Sequence, residues 1–229
     1  MKTIGLIGGM SWESSAVYYR LINQEVQKRL GGVHSAKIVM VSFDFAELEE
    51  LQRAGRWDDA TKLMVDTGRT LARAGAELLL ICTNTMHRMA DEVEQGAGVP
   101  LLHICDPAAR KAKAEGLSCV ALLGTAYTME QSFYKDRLRA HGLDVIVPDE
   151  ADRAVVHRVI YEELVCGKIE QASRKACREI IARLVAQGAQ GVILGCTELP
   201  LLIKPEDSAV PLFDTTTLHA LAAVDLALA

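Results

Sequence analysis

The sequence contains no apolar run near the roughly 18 residues that a membrane helix needs. It has no Cys-x-x-Cys pair, and neither of the glycine patterns that cradle nucleotides, G-x-G-x-x-G or G-x-x-x-x-G-K-[ST]. These absences argue against an α-helical membrane span, a zinc site of paired cysteines, and dinucleotide or P-loop chemistry. Positive charge is also short: 25 Lys and Arg against 30 Asp and Glu leave a net charge of −5. Gripping a phosphate backbone normally takes clustered positive charge, so nucleic acid is not an expected partner. The apolar start is broken by Gly5, Gly8 and Gly9, too short a run for a secretory signal. A cytosolic, or cytoplasmic, protein with six reduced cysteines is the expectation.

What is present is a globular composition, 229 residues with 50% hydrophobic and 24% charged side chains, enough for a substantial core. That length fits one large domain or two small ones. Short, β-rich apolar runs fall at 3–7, 37–43, 77–81, 101–104, 118–123, 144–147, 192–194 and 210–213. Between most of them lie stretches of helical period at 14–30, 58–74, 129–141, 152–166 and 171–187. Asp58 and Asp59 mark one helix start, and Gly75 and Gly188 stand where a glycine closes a helix. The alternation predicts an α/β protein of βαβ units around mostly parallel sheets. No low-complexity linker interrupts it, so two domains would be joined tightly.

An internal repeat favours two. Residues 71–85 (LARAGAELLLICTNT) lie without gaps over 184–198 (LVAQGAQGVILGCTE), and Ile4-Gly5-Leu6-Ile7-Gly8 lies over Val120-Ala121-Leu122-Leu123-Gly124. Gly8 to Thr83 spans 75 positions and Gly124 to Cys196 spans 72, so two ordered pairs recur at nearly equal separation, as in a duplicated half. The expected fold is two pseudo-symmetric lobes, each a mostly parallel sheet flanked by helices, with the active site in the cleft between them. The lobes are placed at 1–105 plus 214–229 and at 106–213.

In open parallel sheets ligands bind beyond the carboxyl ends of the strands, where Gly8–Ser15, Thr83–Thr85, Gly124–Thr128 and Cys196–Glu198 fall. Thr83 and Cys196 then become equivalent positions on opposite walls, while Cys82 aligns with Gly195 and points away. Groups on opposite faces of one small molecule suit inversion at a carbon bearing an acidic hydrogen. A thiol is a fitting acid or base, with a reference pKa of about 8.5. Asn84, Thr85 and Thr197, with main-chain N–H groups at helix starts, would hold a carboxylate and the charge spreading into it.

At these residues the sequence resembles the aspartate/glutamate racemase family, which is PLP-independent. The resemblance lies in Ile4-Gly5-Leu6-Ile7-Gly8-Gly9-Met10, in Cys82-Thr83-Asn84-Thr85-Met86-His87, in Gly195-Cys196-Thr197-Glu198-Leu199 and in Phe213-Asp214-Thr215-Thr216 with His219. It implies two pseudo-symmetric α/β lobes, no organic cofactor and no metal, a homodimer, and one catalytic cysteine from each signature. The second carries over to Cys196. At the first, the residue directly before Asn84 is Thr83, with the cysteine displaced to Cys82. The resemblance further implies substrate contacts from Met10 and from Gln52, with Arg53 as runner-up, and from around Ile160 and Tyr161 in the second lobe. Glu198 either caps the following helix or orients the thiol, and His87 is as readily structural as functional.

The expectation is a cofactor-independent racemase of aspartate or glutamate in which Cys196, as thiolate, removes the α-proton and Thr83 reprotonates the other face. It would favour the L enantiomer. The alternatives are an arylmalonate-type decarboxylase using one cysteine, and an amino-acid-binding protein that has lost one base.

Overall fold

The computed structural model describes all 229 residues. Met1–Ile104 with His219–Ala229 form one compact unit, and Cys105–Leu218 form a second.

In the first unit β1 (Ile4–Gly8) lies between β2 (Ile38–Ser42) and β3 (Leu78–Ile81), all parallel. Helices α1 (Trp12–Leu30), α2 (Phe45–Arg53), α3 (Trp57–Arg73) and α4 (Ala90–Ala97) connect and flank them. Every residue of β1 and β3 is buried, as in a parallel strand covered on both faces. That is why these strands read as continuous apolar runs rather than as an alternation. Side chains of successive residues still divide between the faces. Ile4, Leu6, Leu78, Leu80 and Cys82 pack with Tyr18, Ile22 and Val26 of α1, whereas Ile7, Leu79 and Ile81 pack with Met64 and Leu71 of α3. The outer side of α1 leaves Trp12, Tyr19 and Leu30 exposed.

The strand expected at 101–104 shrinks to a single parallel bridge between Leu79 and Leu101. The carbonyl of Pro100 accepts from Leu79 N–H at 2.8 Å and Leu102 N–H returns to the Leu79 carbonyl at 3.0 Å. Helix α5 (Cys105–Ala114) begins soon after, so no further ladder bonds form.

The second unit has four parallel strands, β4 (Cys119–Gly124), β5 (Asp144–Ile146), β6 (Val192–Gly195) and β7 (Leu212–Asp214), in the order β5-β4-β6-β7. With the Leu101 bridge counted as a rudimentary fourth strand, the first sheet has the same order. The second unit's helices are α5, α6 (Ala126–Glu130), α7 (Ser132–Ala140), α8 (Glu150–Arg158), α9 (Gln171–Ala186) and the short α10 (Leu199–Leu202). Helix α11 (Thr215–Leu228) starts in this unit and ends in the first.

Three expected helices differ in detail. The one at 129–141 is two helices, because Gln131 is extended (ψ 155°) between them. Lys135 Nζ reaches back to the Glu130 carbonyl at 2.8 Å and closes the first. The one at 152–166 is α-helical only to Arg158. It continues as a π turn over Val159–Glu163 and a 3₁₀ turn over Leu164–Cys166, closed by Gly167 at φ 72°. The helix expected from Asp58 starts at Trp57 without a side-chain cap, and Asp59 instead pairs with Arg56 at 2.7 Å. Gly75 (φ 93°) and Gly188 (φ 107°) follow the ends of α3 and α9, the left-handed closure that glycine permits.

Candidate active site

Strand register defines equivalent positions in the two units. The first four residues of β1 pair 74 positions on, from Ile4 with Leu78 to Ile7 with Ile81. The last four residues of β4 pair 71 positions on, from Ala121 with Val192 to Gly124 with Gly195. Cys82 N–H donates to the Ile7 carbonyl at 2.9 Å, which extends the first ladder by one step and sets Cys82 opposite Gly8 as Gly195 stands opposite Gly124. Thr83 and Cys196 are therefore the same position in two like sheets, the first residue beyond the central strands' ladder. Cys82 is fully buried on the face packed by α1, away from the strand end, and burial pushes its thiol up.

In the first unit the turn after β1 requires glycine. Gly9 has φ 88° and a Cβ there would strike the backbone N and O of Phe43, while its N–H donates to Ser15 Oγ at 2.8 Å. Met10 follows, buried in the same apolar cluster as Met86. Gln52, on α2, is 4% exposed and its Nε2 lies 3.1 Å from Met86 Sδ. Arg53 turns outward toward Glu49 and is 73% exposed. Asn84 and Thr85 are buried in the turn after Thr83, which is itself half-buried. Met10, Gln52 and Met86 thus gather near that turn, and the sequence did not single out Met86.

In the second unit β4 and β6 approach so closely at their ends that a Cβ on Gly124 would lie 2.7 Å from the Gly195 carbonyl. Cys196, just beyond, is 6% exposed. Its thiol donates to Glu198 Oε2 at 3.2 Å, and Thr197 Oγ1 donates to the same oxygen at 2.7 Å. Glu198 occupies the cap position of α10 without bonding its backbone N–H groups through the side chain, so the carboxylate is turned toward the thiol. Burial first, and then the Glu198 charge, push the Cys196 thiol well above the ordinary cysteine range. Hydrogen bonds from the backbone N–H groups of Glu198 and Leu199 pull the other way. These influences favour the protonated thiol, so the thiolate that the sequence reading uses to take the α-proton forms when that proton is accepted, and the carboxylate beside it is placed to accept.

Ile160 is buried in the same core cluster as Cys196 and lies on the π turn, with Tyr161 beside it. The register of that turn sets the His157 ring 4.7 Å from the Tyr161 ring. His157 Nδ1 accepts from Ala126 N–H at 3.1 Å, and burial lowers its pKa. Nothing local in the chain singles out His157, because its partner is 31 residues away. Of the other cysteines, burial raises Cys177 to about 12 and also raises Cys105 and Cys119, while Cys166 is exposed.

Replacing Glu198 by glutamine keeps an acceptor for the thiol and removes the charge. The pH midpoint for alkylation of Cys196, followed by mass spectrometry on its own peptide, is expected to move down in Glu198→Gln. An unchanged or higher midpoint would show that the carboxylate charge does not hold the proton on sulfur.

A family model described as Asp/Glu/Hydantoin racemase matches residues 7–223 of the chain. Over its whole length the chain is similar to a crystal structure from Yersinia pestis described as a "putative Asp/Glu Racemase", at 54% identity and a TM-score of 0.94, covering 100% of both chains. A structure described as an aspartate racemase homologue from Pyrococcus horikoshii is 35% identical with a TM-score of 0.84, again over 100% of both. The broad specificity amino-acid racemase RacX of Bacillus subtilis is 24% identical over 99% of this chain and 98% of its own. No helix is long and apolar enough to cross a membrane.

Proposed function

Because the chain belongs to the Asp/Glu/Hydantoin racemase family and is an amino-acid racemase, we propose that it interconverts the enantiomers of aspartate or glutamate with Cys196 and Thr83 as its two proton-transfer groups. The observation that carries this reading is the shared register of those two residues, one at the end of each central ladder. The acidic substrate class is supported by the relatives named for aspartate and glutamate.

For the L enantiomer the Cys196 thiol first passes its proton toward Glu198, and the thiolate then takes the α-proton. The C–H electron pair remains on the substrate, spread into its carboxylate, and Asn84, Thr85 and Thr197 supply polar contacts to that carboxylate. Met10, Gln52 and Ile160 bound the substrate. Thr83 delivers a proton to the opposite face, directly or through water, and recovers one from solvent, while Glu198 gives up to solvent the proton it took from Cys196. The cycle then balances: one proton leaves carbon on one side and one arrives on the other, solvent gives one proton and receives one, and Cys196, Glu198 and Thr83 all end as they began.

The two directions are unequal on this reading, because a threonine hydroxyl is a far weaker acid than a thiol and a poor base unless activated. The test follows α-deuterium uptake by NMR in D₂O from each pure enantiomer. Faster initial exchange of the L form is expected. Equal initial rates would sink the asymmetric assignment, and release of carbon dioxide from a disubstituted malonate without amino-acid exchange would favour decarboxylation.

A further inference from the structure

A chain of buried histidines lies behind Thr83. His87 is 3% exposed, on the 3₁₀ turn Thr85–Met89. Its Nδ1 is 2.7 Å from the Thr83 carbonyl oxygen, and its Nε2 is 3.1 Å from the backbone N of Ile104. A carbonyl can only accept and a backbone N–H can only donate, so these contacts fix the tautomer: Nδ1 carries the proton and Nε2 is bare. His219, fully buried on α11, is fixed in the opposite sense. Its Nε2 donates to the Leu102 carbonyl at 2.8 Å, and its Nδ1 accepts from the Tyr18 hydroxyl at 2.8 Å. The His87 ring packs edge-on to His219 at 5.7 Å between centroids and lies 4.6 Å from His103.

We infer that His87 is a positioning residue for the proton transfer at Thr83, a conclusion that rests on the reading of Thr83 given above. Thr83 is tethered on both sides: the Cys82 carbonyl before it accepts from Ser14 Oγ at 3.5 Å, and its own carbonyl accepts from His87 Nδ1 at 2.7 Å. Those two bonds leave the peptide planes flanking the Thr83 Cα little freedom, and with them the direction of the Cα–Cβ bond. A helical turn alone would not need an imidazole here. The second ring nitrogen spends its lone pair on Ile104, so the tether runs from Thr83 to the segment after the Leu101 bridge. The His219 ring is anchored in turn by α1 through Tyr18 and by the Leu102 carbonyl. The Thr83 Cα–Cβ bond is thus oriented by groups far away in sequence.

The test uses asparagine and glutamine, whose amide groups sit near the positions of Nδ1 and Nε2 respectively. His87→Asn can still donate to the Thr83 carbonyl, whereas His87→Gln can replace only the bond to Ile104. Each variant is incubated with the L substrate in D₂O, and two products are measured in the same sample: deuterium in the recovered L form, which needs Cys196 alone, and formation of the D form, which also needs Thr83. Their ratio does not depend on how much of the protein is folded. His87→Gln is expected to lower D formation relative to L deuteration by about 10–10²-fold, and His87→Asn to restore the ratio to within about threefold of the parent. Equal loss of both products, or equal ratios in the two variants, would overturn the inference. Thr83→Ala separates the two levels of the argument. If it abolishes D formation while His87→Gln leaves the ratio untouched, only the role of His87 is wrong; if Thr83→Ala changes nothing, the assignment of Thr83 fails and the inference with it.

Discussion

Cys196→Ala is expected to reduce both α-proton exchange and racemisation of an acidic amino acid by about 10²–10⁴-fold, the usual worth of a placed acid or base. The fold should survive. Cys196 packs at the edge of the second unit's apolar cluster with Leu194 and Leu199, and deleting one sulfur atom there costs on the order of 1 kcal/mol, or about 2–4 °C in melting temperature for a chain of this size. Cys196→Ser is the sharper variant. Its hydroxyl can still donate to Glu198 Oε2 and fill most of the space, so hydrogen bonding and packing are kept while acidity is lost. A serine variant near full activity would mean that the thiol does no proton transfer, and the mechanism would fall with it. Loss of activity in both, with melting temperatures close to the parent, is the outcome that supports it.

The sheets were largely legible because their strands are covered on both faces. Ile-Gly-Leu-Ile and Leu-Leu-Leu-Ile can hardly be anything but buried parallel strands once glycines and helical stretches bound them. The equivalence of Thr83 with Cys196 was also legible, since a gapless repeat in sequence must become a shared register when both copies form the same ladder. Three things were not. The break at Gln131 and the π turn after Arg158 are backbone choices of one residue, and apolar periodicity is too coarse to register them. The upward push on the Cys196 thiol comes first from its burial and then from the Glu198 carboxylate lying 3.2 Å from sulfur, a placement set by folding and side-chain torsions. The histidine chain joins positions 83, 87, 104 and 219, contacts so distant in sequence that only the folded first unit reveals them.

Thr83→Cys is expected to raise the initial α-deuterium uptake of the D enantiomer by about 10²-fold or more, bringing it toward the rate for the L form. The argument starts from the register. Position 83 corresponds to position 196, so a thiol there would occupy the same point of its own sheet that Cys196 occupies in the other. Thr83 is half-buried, so the new thiol would be less desolvated than Cys82, whose complete burial holds its proton on sulfur. On the proposed mechanism, removing the α-proton from the D form requires a base on the Thr83 side, and a hydroxyl with a pKa far above neutrality supplies almost none. The thiol would supply some thiolate at neutral pH and more as pH rises, so the gain for the D form should grow with pH until that thiol is fully ionised. Uptake from the L form, which on the proposed mechanism begins at Cys196, should change much less. A variant that folds, alkylates at position 83 and yet leaves D exchange at the parental rate would show that Thr83 does not face the substrate carbon. Relief of the asymmetry would instead mark threonine at this position as the reason the two directions differ.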